Sequence, residues 1–303
     1  MSFLFILTSI ITTLIAGVYG FLNYCSPQPR PPTENEKYYR DAKSNKTQKL
    51  PSILHDAPTL TLSCIVPAFD ESKRIVTMLT EAIEYLSERK DDYEIIIVDD
   101  GSRDDTVEVV SAFAKTRLDV DIRILALEKN RGKGGAVTQG VLAARGKYCL
   151  MVDADGATRF SDLGKLEAEL KKVEKDGFGV AVGSRSHLVS TEAVVKRSFI
   201  RNFLMRSFHT LVYVLGIRGI EDTQCGFKLF SRKAAQVIFP NMHVERWIFD
   251  IECLMIAQIR NIPIVEVQVN WHEIDGSKVN LMMDSMKMAI DLLLIRLNYV
   301  LGY

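Results

Sequence analysis

The sequence predicts an α/β protein built on a largely parallel sheet. Four short apolar runs predict strands, at residues 59–66, 93–98, 122–127 and 148–152. Segments with apolar residues at helical spacing separate these runs, and a strand–helix alternation with right-handed crossovers produces a parallel sheet. Polar clusters follow three of the runs, at residues 67–71, 99–102 and 153–155. Since the carboxyl ends of parallel strands form the ligand-binding edge of such a sheet, we expect these clusters to meet there.

The remaining elements continue the same pattern. Helices are predicted at residues 75–86, 106–114, 136–144, 162–175, 251–259 and 281–301, further strands at 180–183 and 262–271, and a polar turn running into a strand at 222–230. The last helix is amphipathic and too interrupted by charge to span a bilayer, so residues 281–303 are expected to dock on a membrane surface. A mixture of arginines and aromatic residues at 197–213 favours a helix at the level of lipid headgroups, the alternative being a helix packed on the sheet.

Composition limits the class of protein. The chain has 303 residues, of which 47% are hydrophobic and 25% charged, which suits one large globular domain with an appendage. Lys and Arg together number 38, as do Asp and Glu, so the overall charge gives no indication of a nucleic-acid partner. The five cysteines are odd in number, widely spaced and without a CxxC pair, which predicts a reduced, cytosol-facing protein with neither a disulfide framework nor a zinc site.

The amino terminus predicts a membrane anchor. Residues 3–22 contain no charge, and about 20 apolar residues of helix span a bilayer. A cleaved signal peptide is the alternative, but it would have a basic start and a shorter apolar core. The basic excess that follows places the bulk of the chain in the cytosol. We therefore expect an anchor at 1–25, a Pro-rich polar linker without a fold of its own at 26–58, and the main domain at 59–280.

Two motifs indicate a ligand. Asp153 and Asp155 stand one residue apart directly after an apolar strand, and paired carboxylates suit Mg²⁺ or Mn²⁺ with a bound diphosphate. A polar turn after the strand is the alternative. The glycine-rich segment 129–135 precedes a helix and would favour a phosphate, although it is not a Walker motif and a flexible basic turn is as good an interpretation.

Taken together, the motifs resemble a known family. They are residues 65–71 (IVPAFDE), 98–102 (VDDGS), 130–134 (NRGKG), 153–155 (DAD) and 183–185 (GSR). Over residues 60–280 the chain is similar to the inverting glycosyltransferases with a GT-A fold, the family that includes the polyprenyl-phosphate hexosyltransferases. The resemblance implies a GT-A fold, a Rossmann-like, mostly parallel sheet flanked by helices. To this fold the hydropathy pattern adds one amino-terminal transmembrane helix and the amphipathic membrane-docking helices.

The resemblance also implies substrates. Residues 222–228 (DTQCGFK), with a single anchor, look most like the members that transfer glucose from UDP-glucose to dolichyl phosphate at the endoplasmic reticulum membrane, for the lipid-linked oligosaccharides of N-glycosylation. Members that use GDP-mannose are the alternative. They commonly have a metal-binding Gln two places after the Asp-x-Asp, where this chain has Ala157. A non-catalytic nucleotide-sugar-binding membrane scaffold is disfavoured because both carboxylates of the metal site are present.

Site residues follow by position. The resemblance assigns the uridine to Pro67, Phe69, Glu71, Val98 and Asp100. It assigns the diphosphate to Asp153, Ala154 and Asp155, the divalent cation to Asp153 and Asp155, and the surroundings of the transferring groups to Arg185 and Lys278. Two mutually repelling anions need cations to position them, and the candidates for holding the acceptor phosphate are Arg185, Arg197, Arg201 and Lys278. Asp155, Arg185 and Asp250 are the expected catalytic residues. The acceptor phosphate has a second pKa near 6 and is largely a dianion at neutral pH, so a general base is dispensable. Asp250 as a base remains the alternative.

Overall fold

The computed structural model describes residues 3–26, 28–188, 217, 219–274 and 281–301. In that part of the chain one mixed sheet contains the strands β1 (Tyr38–Asp41), β2 (Thr47–Lys49), β3 (Leu60–Ala68), β4 (Tyr93–Asp99), β5 (Asp121–Ala126), β6 (Gly146–Val152), β7 (Val180–Ser184), β8 (Phe227–Ser231) and β9 (Ile264–Gln268). Their spatial order is β2-β1-β5-β4-β3-β6-β8-β7-β9. The predicted α/β class is confirmed.

Three neighbouring strands of the sheet run in the same direction. β4, β3 and β6 are parallel neighbours, with Ala68 opposite Asp99 and Ile65 opposite Met151. β5 also runs parallel to β4, whereas β8 runs antiparallel between β6 and β7. β4 is buried along nearly its whole length, as expected for an interior parallel strand. The polar segments after β3, β4 and β6 therefore leave the sheet at one edge.

Helices cover both faces of the sheet. The α-helices of the described residues are α1 (Phe3–Cys25), α2 (Ile75–Ser87), α3 (Thr106–Lys115), α4 (Lys133–Leu142), α5 (Leu163–Val173), α6 (Arg232–Ile238), α7 (Phe249–Ile259) and α8 (Leu281–Leu301). One core is formed by α2, α3 and α5 against the sheet, and the other by α4, α6 and α7. Two residues of α8, Leu292 and Ile295, are buried in the second core, so the predicted carboxyl-terminal helix is confirmed and packs on the domain.

The segment predicted to be a linker is folded, and that prediction was wrong. Residues 35–37 form a 3-10 helix, and β1 and β2 follow as an antiparallel pair. β1 then pairs with β5, with Arg40 opposite Ile124, and Ile53 is completely buried. Strands of three or four residues are too short to show an apolar period, which is why the sequence pattern did not reveal them.

Other differences are smaller. α4 begins at Lys133 rather than at residue 136, so the glycines 134 and 135 belong to its first turn. α5 and β9 are shorter than predicted. α1 is helical, but among the described residues no helix combines the length and apolarity required to cross a membrane, and the predicted anchor is unconfirmed. The predicted helix at 197–213 lies outside the described residues.

Candidate active site

The acidic clusters predicted to meet do meet, at the carboxyl ends of β3, β4 and β6. The link between them is the start of α4, where Lys133 places its Nζ atom 2.6 Å from Oδ1 of Asp153. On the same loop, the N–H groups of Arg131 and Gly132 donate to the carboxylate of Asp100 at 2.7 and 2.8 Å. One short segment of chain thus joins the end of β4 to the end of β6.

Asp100 has a different partner from the one expected. Its side chain is buried, and both oxygens face the two backbone N–H groups of the glycine-rich loop. Burial raises the pKa of Asp100 to about 6, although the two N–H bonds act in the opposite direction. The structure therefore shows Asp100 holding the glycine-rich loop in place, and direct contact with a uridine stays a prediction.

The glycine-rich loop needs its glycines for close packing. Gly132 has a φ of 94°, and a Cβ atom there would lie 2.6 Å from the carbonyl oxygen of Glu245. The N–H of Gly135 donates to that same carbonyl at 2.9 Å. Residues 242–248 therefore form a wall against the start of α4, a contact between distant segments that the local pattern did not reveal.

Asp153 and Asp155 both belong to the site. Oδ1 of Asp153 is buried and makes no hydrogen bond of normal geometry, its close neighbour being the Lys133 ammonium. Oδ1 of Asp155 accepts from the N–H of Ala157 at 3.0 Å. Burial, followed by repulsion from Asp153, raises the pKa of Asp155. Two crowded carboxylates of this kind gain from a cation.

The donor set fits a divalent cation that is shared with a substrate. In the described ranges no cluster of three or more His, Cys, Asp or Glu side chains is arranged to hold a metal. Within those ranges the site offers two carboxylates, Asp153 and Asp155, and one oxygen of Asp153 is buried and lacks a hydrogen bond. Mg²⁺ is often bound in this way, through one or two carboxylates with water and substrate phosphates completing the shell. Ala157 supplies no further ligand.

Lys133 provides a positive charge inside this acidic site. Burial acts to lower its pKa, but the carboxylates of Asp153, Asp250 and Asp155 outweigh that effect and raise the pKa. Lys133 is therefore a fixed cation at physiological pH. It lies at the amino terminus of α4, whose N–H groups also attract anions, so both features favour a bound phosphate.

The residues assigned to the uridine line the ends of β3 and β4. Pro67 and Val98 are paired across the two strands, with Pro67 partly exposed and the side chain of Val98 in the core. Phe69 lies under the guanidinium of Arg103 at 5.1 Å. Glu71 accepts from two nitrogens of Arg74, at 2.8 and 2.6 Å. Phe69 and Pro67 offer apolar contact surface, whereas any contribution of Val98 would be through its backbone.

Arg185 is held by an unexpected partner. Its Nε and one terminal nitrogen donate to the two oxygens of Asp222 at 2.7 and 2.9 Å, and its backbone N–H donates to the same carboxylate at 2.9 Å. The guanidinium also lies over the ring of Trp271, 5.5 Å from its centre. Burial acts to lower the pKa of Arg185, and the bond to Asp222 overcomes this and raises it. Asp222 and Trp271 fix the direction of this arginine.

Asp250 lies beneath the site in a buried ion pair. It is 3% exposed and contacts the ammonium of Lys228, which also donates to the carbonyl of Cys225 at 2.6 Å. Burial raises the pKa of Asp250, while Lys228 and Lys133 act to lower it. A general base must reach the proton it removes, and this carboxylate faces a lysine instead. Its role as a base stays a prediction.

Three assigned residues lie outside the described part of the chain. They are Arg197, Arg201 and Lys278. Ala154 is described and buried between the two aspartates, where its small side chain packs in the core. The described part of the site therefore contains the residues predicted to hold the uridine, the diphosphate and the cation, together with Arg185.

Comparison with known proteins places these residues in context. A family model described as glycosyl transferase family 2 matches residues 63–239. Dolichyl-phosphate beta-glucosyltransferase of Dictyostelium discoideum is 50% identical over 277 residues, covering 89% of this chain and 85% of the relative. The Saccharomyces cerevisiae protein of that name is 46% identical, covering 97% and 93% respectively, and the Homo sapiens protein is 47% identical, covering 89% and 84%.

Solved structures support the fold. Glucosyl-3-phosphoglycerate synthase from Mycobacterium tuberculosis, in complex with Mn²⁺, UDP and glucosyl-3-phosphoglycerate, superposes with a TM-score of 0.54 at 17% identity, covering 78% of this chain and 80% of that one. Its complex with Mg²⁺ and UDP gives a TM-score of 0.53 at 16% identity, covering 78% and 79%. At this identity the likeness concerns the fold, a GT-A-like arrangement of a mostly parallel sheet and helices.

Proposed function

The chain belongs to glycosyltransferase family 2, and from this we propose that it transfers glucose from UDP-glucose to dolichyl phosphate with inversion at the anomeric carbon. The observation that supports this most strongly is the set of dolichyl-phosphate beta-glucosyltransferases at 45–50% identity over about nine tenths of the chain. The geometry agrees, since two carboxylates and a lysine converge at the sheet edge where a nucleoside diphosphate would lie. The protein is a hexosyltransferase.

The donor would bind across the ends of β3, β4 and β6. Phe69 and Pro67 would contact the uracil, and Asp153 and Asp155 would hold a divalent cation that neutralises charge on the diphosphate. The related fold has been crystallised with either Mn²⁺ or Mg²⁺ and UDP. Lys133 and the amino terminus of α4 supply further positive charge near the leaving group, because that lysine stays protonated. UDP is thereby made a better leaving group.

The phosphate of the acceptor would need to be positioned, whereas removal of a proton by a base is dispensable. Its phosphate is mostly a dianion at neutral pH and can attack the anomeric carbon directly, with the bond to UDP breaking in line. Asp222 and Trp271 direct Arg185, leaving one terminal nitrogen of its guanidinium free of Asp222 in the described contacts. A cation oriented in this way can hold two anions at reacting distance. Arg197, Arg201 and Lys278 would add to this charge.

The same proposal includes the membrane. The acceptor is a lipid, and α8 exposes Ile290, Leu293 and Val300 while its opposite side packs on the domain. We propose that α1 anchors the chain in the endoplasmic reticulum membrane in a single pass, that the catalytic domain faces the cytosol, and that α8 docks on the lipid surface. The product, dolichyl glucosyl phosphate, would then supply lipid-linked oligosaccharide assembly.

A side-by-side transfer assay tests the proposal. Full-length protein in microsomal membranes is given dolichyl phosphate with radiolabelled UDP-glucose or GDP-mannose, and the labelled lipid is extracted and counted. We expect incorporation from UDP-glucose, dependence on added Mg²⁺ or Mn²⁺, and loss of incorporation in Asp155→Asn. Incorporation from GDP-mannose alone would replace glucose by mannose, and incorporation from neither, with binding of UDP intact, would indicate a nucleotide-sugar-binding scaffold.

A further inference from the structure

Glu36 is a buried carboxylate in the segment that precedes the family domain. Its side chain is completely shielded from solvent, and residue 36 lies outside the range 63–239 matched by the family model. One oxygen accepts from Arg30 at 2.5 Å and from the N–H of Glu128 at 2.9 Å. The other accepts from the N–H of Thr33 at 3.0 Å and from Arg131 at 3.3 Å. Four donors on a single buried carboxylate indicate an organised contact rather than a surface ion pair.

Two of these four groups, the N–H of Glu128 and the side chain of Arg131, belong to the loop beside the proposed nucleotide-sugar site. Glu128 and Arg131 bracket the start of the glycine-rich segment, which runs directly into Lys133. The side chain of Arg131 is 1% exposed, and its second partner is Glu245 at 2.8 Å. Gly135 makes room for it, since a Cβ atom at that position would lie 2.6 Å from Cβ of Arg131. Arg131 is therefore clamped between two carboxylates from distant parts of the chain.

The clamp connects to the nucleotide residues through the backbone. The N–H of Arg131 donates to Asp100, and the N–H of the following Gly132 donates to the other oxygen of Asp100. A displacement of Arg131 would therefore move the hydrogen-bonded link between the carboxyl end of β4 and the start of α4. It would also move Lys133, whose ammonium lies 2.6 Å from Asp153. Misplacement of ligand-holding groups by about 1 Å is enough to cost a large part of their effect.

We propose that Glu36 is a positioning residue for the nucleoside diphosphate: it fixes Arg131 and the N–H of Glu128, and through them the loop that presents Lys133 and the start of α4 to the donor. The inference rests on the proposed function for the identity of that ligand. It extends the donor site to a segment between the predicted anchor and the family domain. The acceptor residue Arg185 makes its described contacts with Asp222 and Trp271, which are not part of this clamp.

The test compares two neighbouring carboxylates. Glu36→Gln keeps the size of the side chain and removes the charge, and Glu34→Gln is the matched control, because the Glu34 side chain is 86% exposed and pairs only with Lys37 among its described contacts. In the full-length protein, Glu36→Gln is expected to raise the KM for UDP-glucose about tenfold, as for a lost charged hydrogen-bond partner, with the KM for dolichyl phosphate unchanged. Glu34→Gln is expected to match the wild type in both.

A second variant keeps the result interpretable. Glu245→Gln removes the other carboxylate from Arg131 and is expected to weaken donor binding alone, and the double variant should show a non-additive effect because both act on one guanidinium. Thermal unfolding of each variant separates folding from binding. Equal rises in KM for donor and acceptor, or a lowered melting temperature with both KM values unchanged, would show that Glu36 is merely structural and overturn the inference.

Direct binding separates this inference from the proposed function. The dissociation constants of UDP and GDP are measured for the wild type and Glu36→Gln by isothermal titration, without turnover. If the wild type binds UDP but transfers no glucose, the proposed reaction fails, while weaker UDP binding by the variant still supports the positioning role. If the wild type binds GDP more tightly than UDP, the dissociation constants of the variant and the wild type are compared for GDP instead. Equal affinity of wild type and variant for the bound nucleotide, or no binding of either nucleotide by the wild type, overturns the positioning role.

Discussion

Replacing Gly226 by alanine should displace the Asp153 carboxylate and little else. A Cβ atom at residue 226 would lie 2.0 Å from Oδ2 and 2.2 Å from Cγ of Asp153. The backbone has little freedom to separate, because the N–H of Asp153 donates to the carbonyl of Gly226 at 3.1 Å and the next residues pair β6 with β8. The carboxylate therefore has to rotate away from its position beside Lys133.

The size of the effect follows from the size of the clash. An ordinary contact begins near 3.4 Å, so Oδ2 has to retreat by roughly 1.4 Å. A misplacement of about 1 Å can reduce turnover about 100-fold, which corresponds to about 2.7 kcal/mol in the activation barrier. We expect Gly226→Ala to lower kcat/KM for UDP-glucose by about that factor. The concentration of Mn²⁺ that gives half-maximal activity should rise as well, because Asp153 is an expected cation ligand.

The assay is the initial rate of glucose transfer to dolichyl phosphate at varied UDP-glucose and Mn²⁺, with thermal unfolding measured in parallel. Gly17→Ala is the control, because a Cβ atom at that position in α1 has nothing within 4 Å. A Gly226→Ala enzyme that is folded and retains kcat/KM within about threefold of the wild type would contradict the reasoning, since a shifted carboxylate could not then be important.

Two further predictions concern buried groups. Asp250→Asn should destabilise the fold by about 3–5 kcal/mol, because it leaves the ammonium of Lys228 buried without its counter-ion, and adding Lys228→Met should recover most of the lost stability. An unchanged melting temperature in the single variant would contradict this. In the folded double variant, a large fall in kcat with intact affinity for UDP-glucose would favour a role of Asp250 as a base. The bond from His243 to Glu252 raises the pKa of His243, so its contribution to stability is complete below the unfolded pKa of about 6.5 and is lost as the pH rises through the higher folded value. The melting temperature should therefore fall between about pH 6 and pH 8 by more in the wild type than in His243→Asn, and parallel curves would exclude the effect.

Strand ends were predictable from the sequence, whereas the partners of the site residues were not. Asp153 and Asp155 could be placed because an apolar run ends directly before them, and that boundary is a local signal. The pairing of Arg185 with Asp222, or of Lys228 with Asp250, joins residues 37 and 22 positions apart. Neither pair has a fixed spacing in sequence, so only the folded chain reveals them.

The same limit explains the error at residues 26–58. β1 and β2 are short and mostly polar, and they are strands because β5 offers a free edge to pair with. Pairing of this kind depends on tertiary context more than on the propensity of the segment. Glu36 is a further example, because an acid in a polar stretch is usually exposed, and its burial depends on Arg30, Arg131 and the N–H of Glu128. The sequence contains those residues but not their proximity.

The charges around Lys133 explain why a cation is expected at this site. Asp153, Asp155 and Asp250 face Lys133 or lie in its field, and Lys228 is the partner of Asp250. Counting these five groups as ionised, three negative and two positive charges leave the group with one net negative charge. Arg185 with Asp222, and Arg74 with Glu71, add neutral pairs. A diphosphate entering this site would meet net repulsion, which a divalent cation on Asp153 and Asp155 reverses. UDP should therefore bind weakly after treatment with a chelator and regain affinity with Mg²⁺ or Mn²⁺, and metal-independent affinity would mean that Lys133 and α4 suffice.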